Sequence, residues 1–181
     1  MTFNLANIPV LETERLVMRE WRESDFDLVH GIYSHEENSR YVGGLFNRSQ
    51  SWRYMASHVG HWQFRGFGMW VVERKSDGTA IGYSGLWCPE GWPEPEVGYI
   101  LHRDFHGQGY ASEVARRGLQ FAYEDLGWTT AISLIAADNH ASKNVARKLG
   151  GHLEANTVIF DGKAEIWRHL PASEFLGASN E

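Results

Sequence analysis

The feature that most constrains the fold is a strand–helix–strand pattern in the second half of the chain. Glu96–His102 is predicted to be a strand, and the apolar residues between Ala111 and Leu126 recur at three- and four-residue steps, as on one helix face. Ala131–Ala137 is an almost continuous apolar run, typical of a strand buried on both faces. Two strands joined by a helix with a short return form a βαβ unit, so the strands are predicted to lie parallel.

The rest of the chain alternates short strand patterns, turn signals and helical patterns. The fold class that we predict is α/β (α+β), a sandwich with helices on both faces of a mixed sheet. This sheet has about seven strands, mostly antiparallel, with one central parallel crossover. The other predicted strands are 16–20, 69–73 and 80–87, with a hairpin at Asp77-Gly78, and 158–160 and 164–167, with a hairpin at Asp161-Gly162. The other predicted helices are 26–33, 50–64 and 141–149.

Length and composition limit the class of protein. A chain of 181 residues suits one domain, residues 1–181, with a core at about 11–170 and a frayed tail at 171–181. A formal net charge of −6 lacks the positive footprint of a nucleic-acid binder, and the lone Cys88 excludes an intramolecular disulfide. The sequence shows no secretory signal and no apolar run long enough to span a membrane, so a cytoplasmic location is expected.

A glycine-rich segment stands where the predicted strand meets the predicted helix. It reads His106-Gly-Gln-Gly-Tyr-Ala-Ser-Glu113, and its glycines permit a close backbone approach that side chains would block. The main-chain N–H groups of this loop, together with the helix dipole, form a cradle suited to a pyrophosphate. A plain glycine turn between two elements is the alternative.

Two other nucleotide-binding motifs fit poorly. The third glycine of a dinucleotide-binding fingerprint would fall at Ser112, and the strands before the loop are predicted to be antiparallel. Gly162-Lys163 lacks both the upstream glycine and the following Ser or Thr of a P-loop.

Three ordered motifs resemble the GNAT superfamily of N-acetyltransferases, over about Leu11–Leu170. The stretch from Glu96 to Glu113 resembles the acetyl-coenzyme A motif of that superfamily, a strand followed by Arg/Gln-x-x-Gly-x-Gly/Ala. Asp138-Asn-His-Ala-Ser-Lys-Asn-Val-Ala-Arg-Lys-Leu-Gly150 resembles the next motif, Asn-x-x-Ala/Ser leading to Lys-x-Gly. Leu11-Glu-Thr-Glu-Arg-Leu-Val-Met-Arg19 is similar to the opening of the RimJ/RimL-type branch, the ribosomal-protein N-terminal acetyltransferases and their small-molecule relatives.

The resemblance implies a GNAT-like sandwich with acetyl-CoA as co-substrate. It implies that Leu101 and Arg103 offer main-chain groups to the pantetheine arm and the thioester. It also implies that Asn139 contacts the cofactor arm and that Ser142 lies near its sulfur. The main-chain N–H groups implied to wrap the pyrophosphate are those of His106, Gly107, Gln108, Gly109, Tyr110 and Ala111.

The chain departs from the family pattern in two places. His106 replaces the usual Arg or Gln, but that role belongs largely to the backbone. Ala146 stands where the family frequently has a Tyr acid, and Gly151 stands where a Phe follows Lys-x-Gly. The Tyr-acid version of the mechanism is therefore not available at that position.

Amine acetylation needs a base and gains from an acid. A protonated aliphatic amine must lose a proton before it attacks, and the expelled thiolate, of pKa about 8.5, gains from a proton donor. Glu96 at the start of the central strand is a candidate base acting through water, and a surface carboxylate is the alternative. Ser142 is a candidate acid, and a first-turn helix residue packed against a neighbour is the alternative.

Other conspicuous side chains favour packing over chemistry. His58 and His61 have ligand-like spacing, but no acid or cysteine completes a set, so no metal is expected. Trp87 and Trp92 flank a proline-rich loop and either line an acceptor pocket or simply pack.

The sequence thus predicts an N-acetyltransferase that moves acetyl from acetyl-CoA by direct attack of an acceptor amine. The acceptor stays open between a protein N-terminus and small amines such as an aminoglycoside, a polyamine or an amino acid. The alternative function is a non-catalytic acyl-CoA-binding regulatory module. No nucleic acid or membrane partner is expected. A homodimer is expected from the resemblance, because dimers are common among similar proteins.

Overall fold

Eight strands form one sheet in this computed structural model, which describes residues 7–159 and 162–177. The strands are β1 (Leu11–Glu12), β2 (Leu16–Arg19), β3 (Met69–Arg74), β4 (Thr79–Trp87), β5 (Glu96–Leu101), β6 (Ile132–Ala136), β7 (His152–Ile159) and β8 (Gly162–Arg168). Their spatial order is β1-β2-β3-β4-β5-β6-β8-β7. The helices are α1 (Phe26–Tyr33), α2 (Glu36–Ser39), α3 (Arg48–Arg65), α4 (Tyr110–Glu124), α5 (His140–Lys148) and α6 (Ala172–Gly177).

The parallel crossover lies in the middle of the sheet, as predicted. β5 and β6 are parallel and α4 connects them, whereas the other neighbouring strands pair antiparallel. α4 is amphipathic, and its buried Val114 and Leu119 side chains join the main core. The mixed, mostly antiparallel sheet expected from the sequence is confirmed.

Helices cover both faces of this sheet. Leu119 of α4 belongs to the same buried cluster as Leu86 of β4. Ile32 of α1 and Met55 of α3 belong to a second cluster with Tyr83, also of β4. Successive side chains of a strand point to opposite faces, so Tyr83 and Leu86, three residues apart, serve different layers. None of the described helices is long and apolar enough to cross a membrane.

Two strands differ from the prediction. β1 raises the number of strands from about seven to eight; it is two residues long, too short to show a period. β7 begins at His152 rather than Val158, and its mostly exposed side chains give no apolar alternation that marks a strand. Phe160 and Asp161, part of the predicted last hairpin, lie outside the described residues.

The predicted frayed tail begins with a helix instead. α6 contains Phe175, which is 3% exposed, and its ring lies 5.4 Å from the ring of Tyr123 in α4. Burial of a large apolar side chain stabilises the folded chain by roughly 1.5–3 kcal/mol, which holds this short helix in place. The prediction of a tail is therefore wrong for residues 172–177, and residues 178–181 lie outside the described part of the chain.

Candidate active site

The parallel strands β5 and β6 separate soon after they meet. Their register contains one Cα pair, Glu96 with Ile132, next to a hydrogen bond of 3.1 Å from the Ile132 N–H to the Pro95 carbonyl. β5 continues to Leu101 and β6 to Ala136 with no further pair recorded between them in the described sheet. The facing main-chain groups of the two strands therefore border a gap.

A cavity of about 660 Å³ includes this gap. Strand residues on both sides of the gap line it, among them Gly98 and Ala136. Other lining residues are His58 of α3, Trp87 and Trp92 around the loop after β4, and Asn139 and Ser142 near the start of α5. Both tryptophans thus border the cavity.

Glu96, the candidate base, is buried in the cavity wall with 8% exposure. Its Oε1 accepts the Leu134 N–H at 3.0 Å, and its Oε2 accepts the Trp92 Nε1–H at 2.7 Å. Burial raises the pKa of the Glu96 carboxyl from an ordinary 4.5 to about 7, although both hydrogen bonds act to lower it. A carboxyl that titrates there is suited to proton transfer at neutral pH. The alternative of an exposed surface carboxylate is wrong.

Ser133 of β6 pairs a main-chain carbonyl of β5 across the gap. Its hydroxyl donates to the Val97 carbonyl at 2.7 Å and lies 2.9 Å from Nε2 of His169. Because the hydroxyl has one proton, His169 must donate from Nε2 to the Ser133 oxygen. Burial lowers the pKa of His169 to about 4, so this ring is neutral at neutral pH. The strands can therefore separate without leaving the Val97 carbonyl or the Leu134 N–H unpaired.

The glycine loop presents main-chain N–H groups at the start of α4. Gly107 and Gly109 have φ angles of 75° and 83°, the left-handed region that favours glycine. The Glu113 N–H donates to the Gly109 carbonyl at 3.2 Å, which is the first hydrogen bond of the helix. The N–H groups of Tyr110 and Ala111 precede it and have no acceptor within the helix. This arrangement suits an anion.

The opening motif of the chain braces this loop. Glu113 Oε1 accepts from the Thr13 hydroxyl at 2.6 Å and from the Arg15 N–H at 2.9 Å. The Arg15 guanidinium lies 2.6 Å from Glu113 Oε2, donates to the Gln108 carbonyl at 3.0 Å, and stands 4.5 Å from the Tyr110 ring centroid. Thr13 and Arg15 thus fix the loop against the first turn of α4.

A side-chain cap positions the start of α5. Asn139 Oδ1 accepts the Ser142 N–H at 3.1 Å, so Asn139 is the N-cap of α5. The Tyr99 hydroxyl of β5 reaches across the gap and donates to the Ser142 carbonyl at 3.0 Å. Burial raises the pKa of Tyr99, so its hydroxyl keeps its proton at neutral pH. Two residues with hydroxyl groups, Ser142 and Tyr99, therefore line the cavity at this end.

Asn38 occupies main-chain groups at the end of β5. Its Nδ2 donates to the Leu101 carbonyl at 3.2 Å, and its Oδ1 accepts the Arg103 N–H at 2.7 Å. The His106 ring donates from Nε2 to the same Leu101 carbonyl at 2.9 Å. Leu101 and Arg103 are the residues whose main chain the resemblance assigns to the pantetheine arm. Asn38 must release these two groups before another molecule can bind them.

The structure brings some predicted residues together and adds others. Glu96, Asn139 and Ser142 line one cavity. The other predicted residues, Leu101, Arg103 and His106–Ala111, are not in its lining and lie between the end of β5 and the first turn of α4. Tyr99 lines the cavity but was not predicted, because strand residues three apart point to opposite faces and its partner Ser142 lies 43 residues away. Asn38 was not predicted either, because its partners lie 63 and 65 residues away and no local pattern marks it.

The raised pKa of Glu96 makes a prediction for stability. Because its pKa in the folded chain lies above the unfolded value, its contribution is full below about pH 4.5 and is lost as the pH rises through about 7. We expect the free energy of unfolding of Glu96→Gln, relative to the wild type, to rise between pH 5 and pH 8 by up to roughly 3 kcal/mol. Urea unfolding at a series of pH values measures this difference.

The exposed Glu14 supplies the matched control, since Glu14→Gln makes the same substitution at the surface and is expected to change the free energy of unfolding by less than about 0.5 kcal/mol. If the free energies of unfolding of Glu96→Gln and the wild type change in parallel with pH, the pKa of Glu96 is not raised in the folded chain and the prediction is wrong.

Comparisons with known proteins agree with this geometry. Residues 15–152 match the family described as the acetyltransferase (GNAT) domain. The uncharacterized N-acetyltransferase YoaA of Bacillus subtilis (strain 168) is 26% identical over 145 residues, covering 78% of this chain and 82% of YoaA. The structure of an acetyltransferase from Agrobacterium tumefaciens str. C58 is 29% identical, with a TM-score of 0.83, covering 93% of this chain and 96% of that one.

The fold is also that of RimL, described as the ribosomal L7/L12 α-N-protein acetyltransferase and solved in complex with coenzyme A. RimL is 16% identical, with a TM-score of 0.72, covering 89% of this chain and 96% of RimL. The family assignment favours an enzyme over a non-catalytic binding module. Because the family match spans most of the sequence, the chain belongs to the GNAT acetyltransferase family, and the protein is an acetyltransferase.

Proposed function

We propose that this acetyltransferase transfers acetyl from acetyl-CoA to a primary amine in the gap between β5 and β6, with Glu96 as the base. The observation that carries the proposal is the buried Glu96 carboxyl, whose pKa lies at about 7, in the wall of a cavity between separating parallel strands. A protein N-terminus or a small amine is the acceptor. The homodimer and the cytoplasmic location stay predictions from the sequence.

The main chain around the glycine loop fits an acyl-CoA. No described atom lies within 4 Å of where a Cβ on Gly107 would stand, so a ligand can come close to the backbone there. A Cβ on Gly109 would lie 3.4 Å from Arg15 Nη2, so a large side chain at Gly109 would fill the space that a ligand needs. We assign the pyrophosphate to the N–H groups of His106–Ala111 and the pantetheine arm to the main chain of Leu101 and Arg103, once Asn38 has moved. Asn139 then contacts the arm beside Ser142.

The proposed reaction balances with groups that this chain supplies. Acetyl-CoA contributes an activated acetyl group, held as a thioester. Glu96, directly or through water, takes one proton from the ammonium form of the acceptor, which leaves a lone pair for attack. The C–N bond then forms, the attacking nitrogen releases its second proton to solvent, the C–S bond breaks, and the thiolate leaves with the electron pair. Ser142 donates a hydrogen bond to that sulfur and relays a proton from solvent.

Glu96→Gln tests the base. We expect kcat for an accepted amine to fall by about 10²–10⁴-fold, because the amide cannot accept the proton. In the wild type, kcat should rise with pH and level off above about 7, the pKa of Glu96, whereas the variant should lose this step. Thiol release from acetyl-CoA, followed across the pH range with a panel of amines, measures both. Unchanged kcat at every pH, with KM for acetyl-CoA also unchanged, would remove Glu96 from the mechanism.

Gly109→Val tests the pyrophosphate cradle. Gly109 has a φ of 83°, which a β-branched side chain rarely adopts, so the loop must distort. We expect the affinity for CoA, measured by titration calorimetry, to fall by more than about tenfold. Gly78→Val is the matched control, because Gly78 has a φ of 69° in the turn between β3 and β4, away from the cavity. Equal losses in both variants would point to general destabilisation instead of a lost phosphate site.

Ser142→Ala and Tyr99→Phe together test the acid. Ser142→Ala should lower kcat at least about tenfold at pH 7 and less at pH 9, because a thiol of pKa about 8.5 leaves unaided at high pH. Tyr99→Phe removes a hydroxyl that donates to the Ser142 carbonyl, so a smaller loss that does not vary with pH is expected. If the pH-dependent loss appears in Tyr99→Phe and not in Ser142→Ala, the acid is Tyr99.

A further inference from the structure

Among the described residues of the cavity wall, one buried side chain lacks a hydrogen-bond partner. His58 of α3 is 1% exposed, and neither of its ring nitrogens has a partner among the residues that the structure describes. It lines the same cavity as Glu96. Buried polar atoms are nearly always hydrogen-bonded, because an unsatisfied one destabilises the fold. Two unsatisfied atoms on one ring therefore need a reason other than packing.

The surroundings of His58 are aromatic. Trp21 stacks on the ring with centroids 5.2 Å apart and an interplanar angle of 4°, and the rings of Tyr83 and Trp87 lie at 5.0 and 4.8 Å. Burial lowers the pKa of His58 to about 3, so the neutral ring offers one donor and one acceptor. A phenylalanine would pack similarly without the two polar atoms. The nitrogens are thus suited to a molecule that enters the cavity.

His61, on the next turn of α3, provides the contrast. Its Nδ1 donates to the Phe67 carbonyl at 2.8 Å, and its Nε2 accepts the Cys88 N–H at 3.0 Å. It also stacks on Trp87, with centroids 4.4 Å apart. The protein therefore satisfies one of the two histidines that contact Trp87 and leaves the other open.

The charges around the cavity restrict what can enter. Among the described residues that line it, Glu96 is the one carboxylate, while Lys163 and Arg40, the latter paired with Asp138 at 2.6 Å, are the cations. Each ammonium group of a polyamine or an aminoglycoside needs a carboxylate or water when it is desolvated. A molecule with one ammonium group and an apolar body fits better, because aromatic rings favour apolar surface and also attract a single cation.

We propose that His58 determines acceptor specificity by hydrogen-bonding a polar group of the acceptor, and that the acceptor is a primary monoamine on a ring-sized apolar body that carries such a group. This inference rests on the proposed function and names the substrate class of the same cavity.

Initial rates of acetyl transfer by the 181-residue chain test the inference. The probes are 2-phenylethylamine, its polar counterparts tyramine and phenylalaninamide, and spermidine, all with acetyl-CoA. We expect kcat/KM for at least one polar counterpart to exceed the values for 2-phenylethylamine and spermidine by roughly tenfold, the effect of about one hydrogen bond. His58→Phe should abolish that advantage and His58→Gln should retain part of it, while KM for acetyl-CoA stays unchanged in both.

His61→Phe is the matched structural control. We expect it to lower Tm, because the Phe67 carbonyl and the Cys88 N–H lose their partner, whereas His58→Phe should maintain or raise Tm. An advantage for the polar amine that persists in His58→Phe would overturn the inference, as would a wild-type preference for spermidine or transfer to none of these amines. Failure of the proposed function is a separate result: no CoA binding, and no acetyl transfer to a wider panel that includes peptides.

Discussion

The hydrogen bond from the Leu134 N–H to the Glu96 carboxylate holds the position on which the rest of the site depends. In a regular parallel ladder, a carbonyl of the neighbouring strand would accept such an N–H. Two buried strands that separate would leave groups unpaired, each at a penalty of about 1–3 kcal/mol. Here a carboxylate accepts the N–H of one strand, and Ser133 donates to the Val97 carbonyl of the other. The gap is stable because side chains replace the ladder.

The same contact also sets the chemistry of the carboxylate. The Glu96 side chain that accepts the Leu134 N–H is buried between the two strands, and the loss of water there raises its pKa to about 7. Desolvation acts in the opposite direction on the imidazole of His58, whose charged form is a cation, and lowers its pKa to about 3. Both groups are pushed toward their uncharged forms by one apolar cavity. The buried Glu96 carboxyl therefore has two roles: it pairs the Leu134 N–H where the strands separate, and its raised pKa suits it to proton transfer.

The glycine loop depends on contacts from the other end of the sequence. Glu113 in the first turn of α4 binds Thr13, 100 residues earlier, and Arg15 links the same carboxylate to the Gln108 carbonyl. These bonds give a physical role to the opening motif, whose residues lie outside the cavity lining described above. They fix the loop by a side-chain network, which orients the N–H groups at the start of α4.

Local patterns in the sequence determined the central βαβ unit and the glycine loop, because strand alternation, helical period and glycine turns act over a few residues. The family motifs extended this to the fold and to the candidate residues Glu96 and Ser142. Tertiary structure alone decided the burial of Glu96, the contact of Tyr99 with a residue 43 positions away, and the partners of Asn38. It also decided that α6 docks and that His58, in an aromatic wall, has no hydrogen-bond partner among the described residues. These outcomes arise from desolvation and from hydrogen bonds between distant segments, and no short stretch of sequence encodes either one.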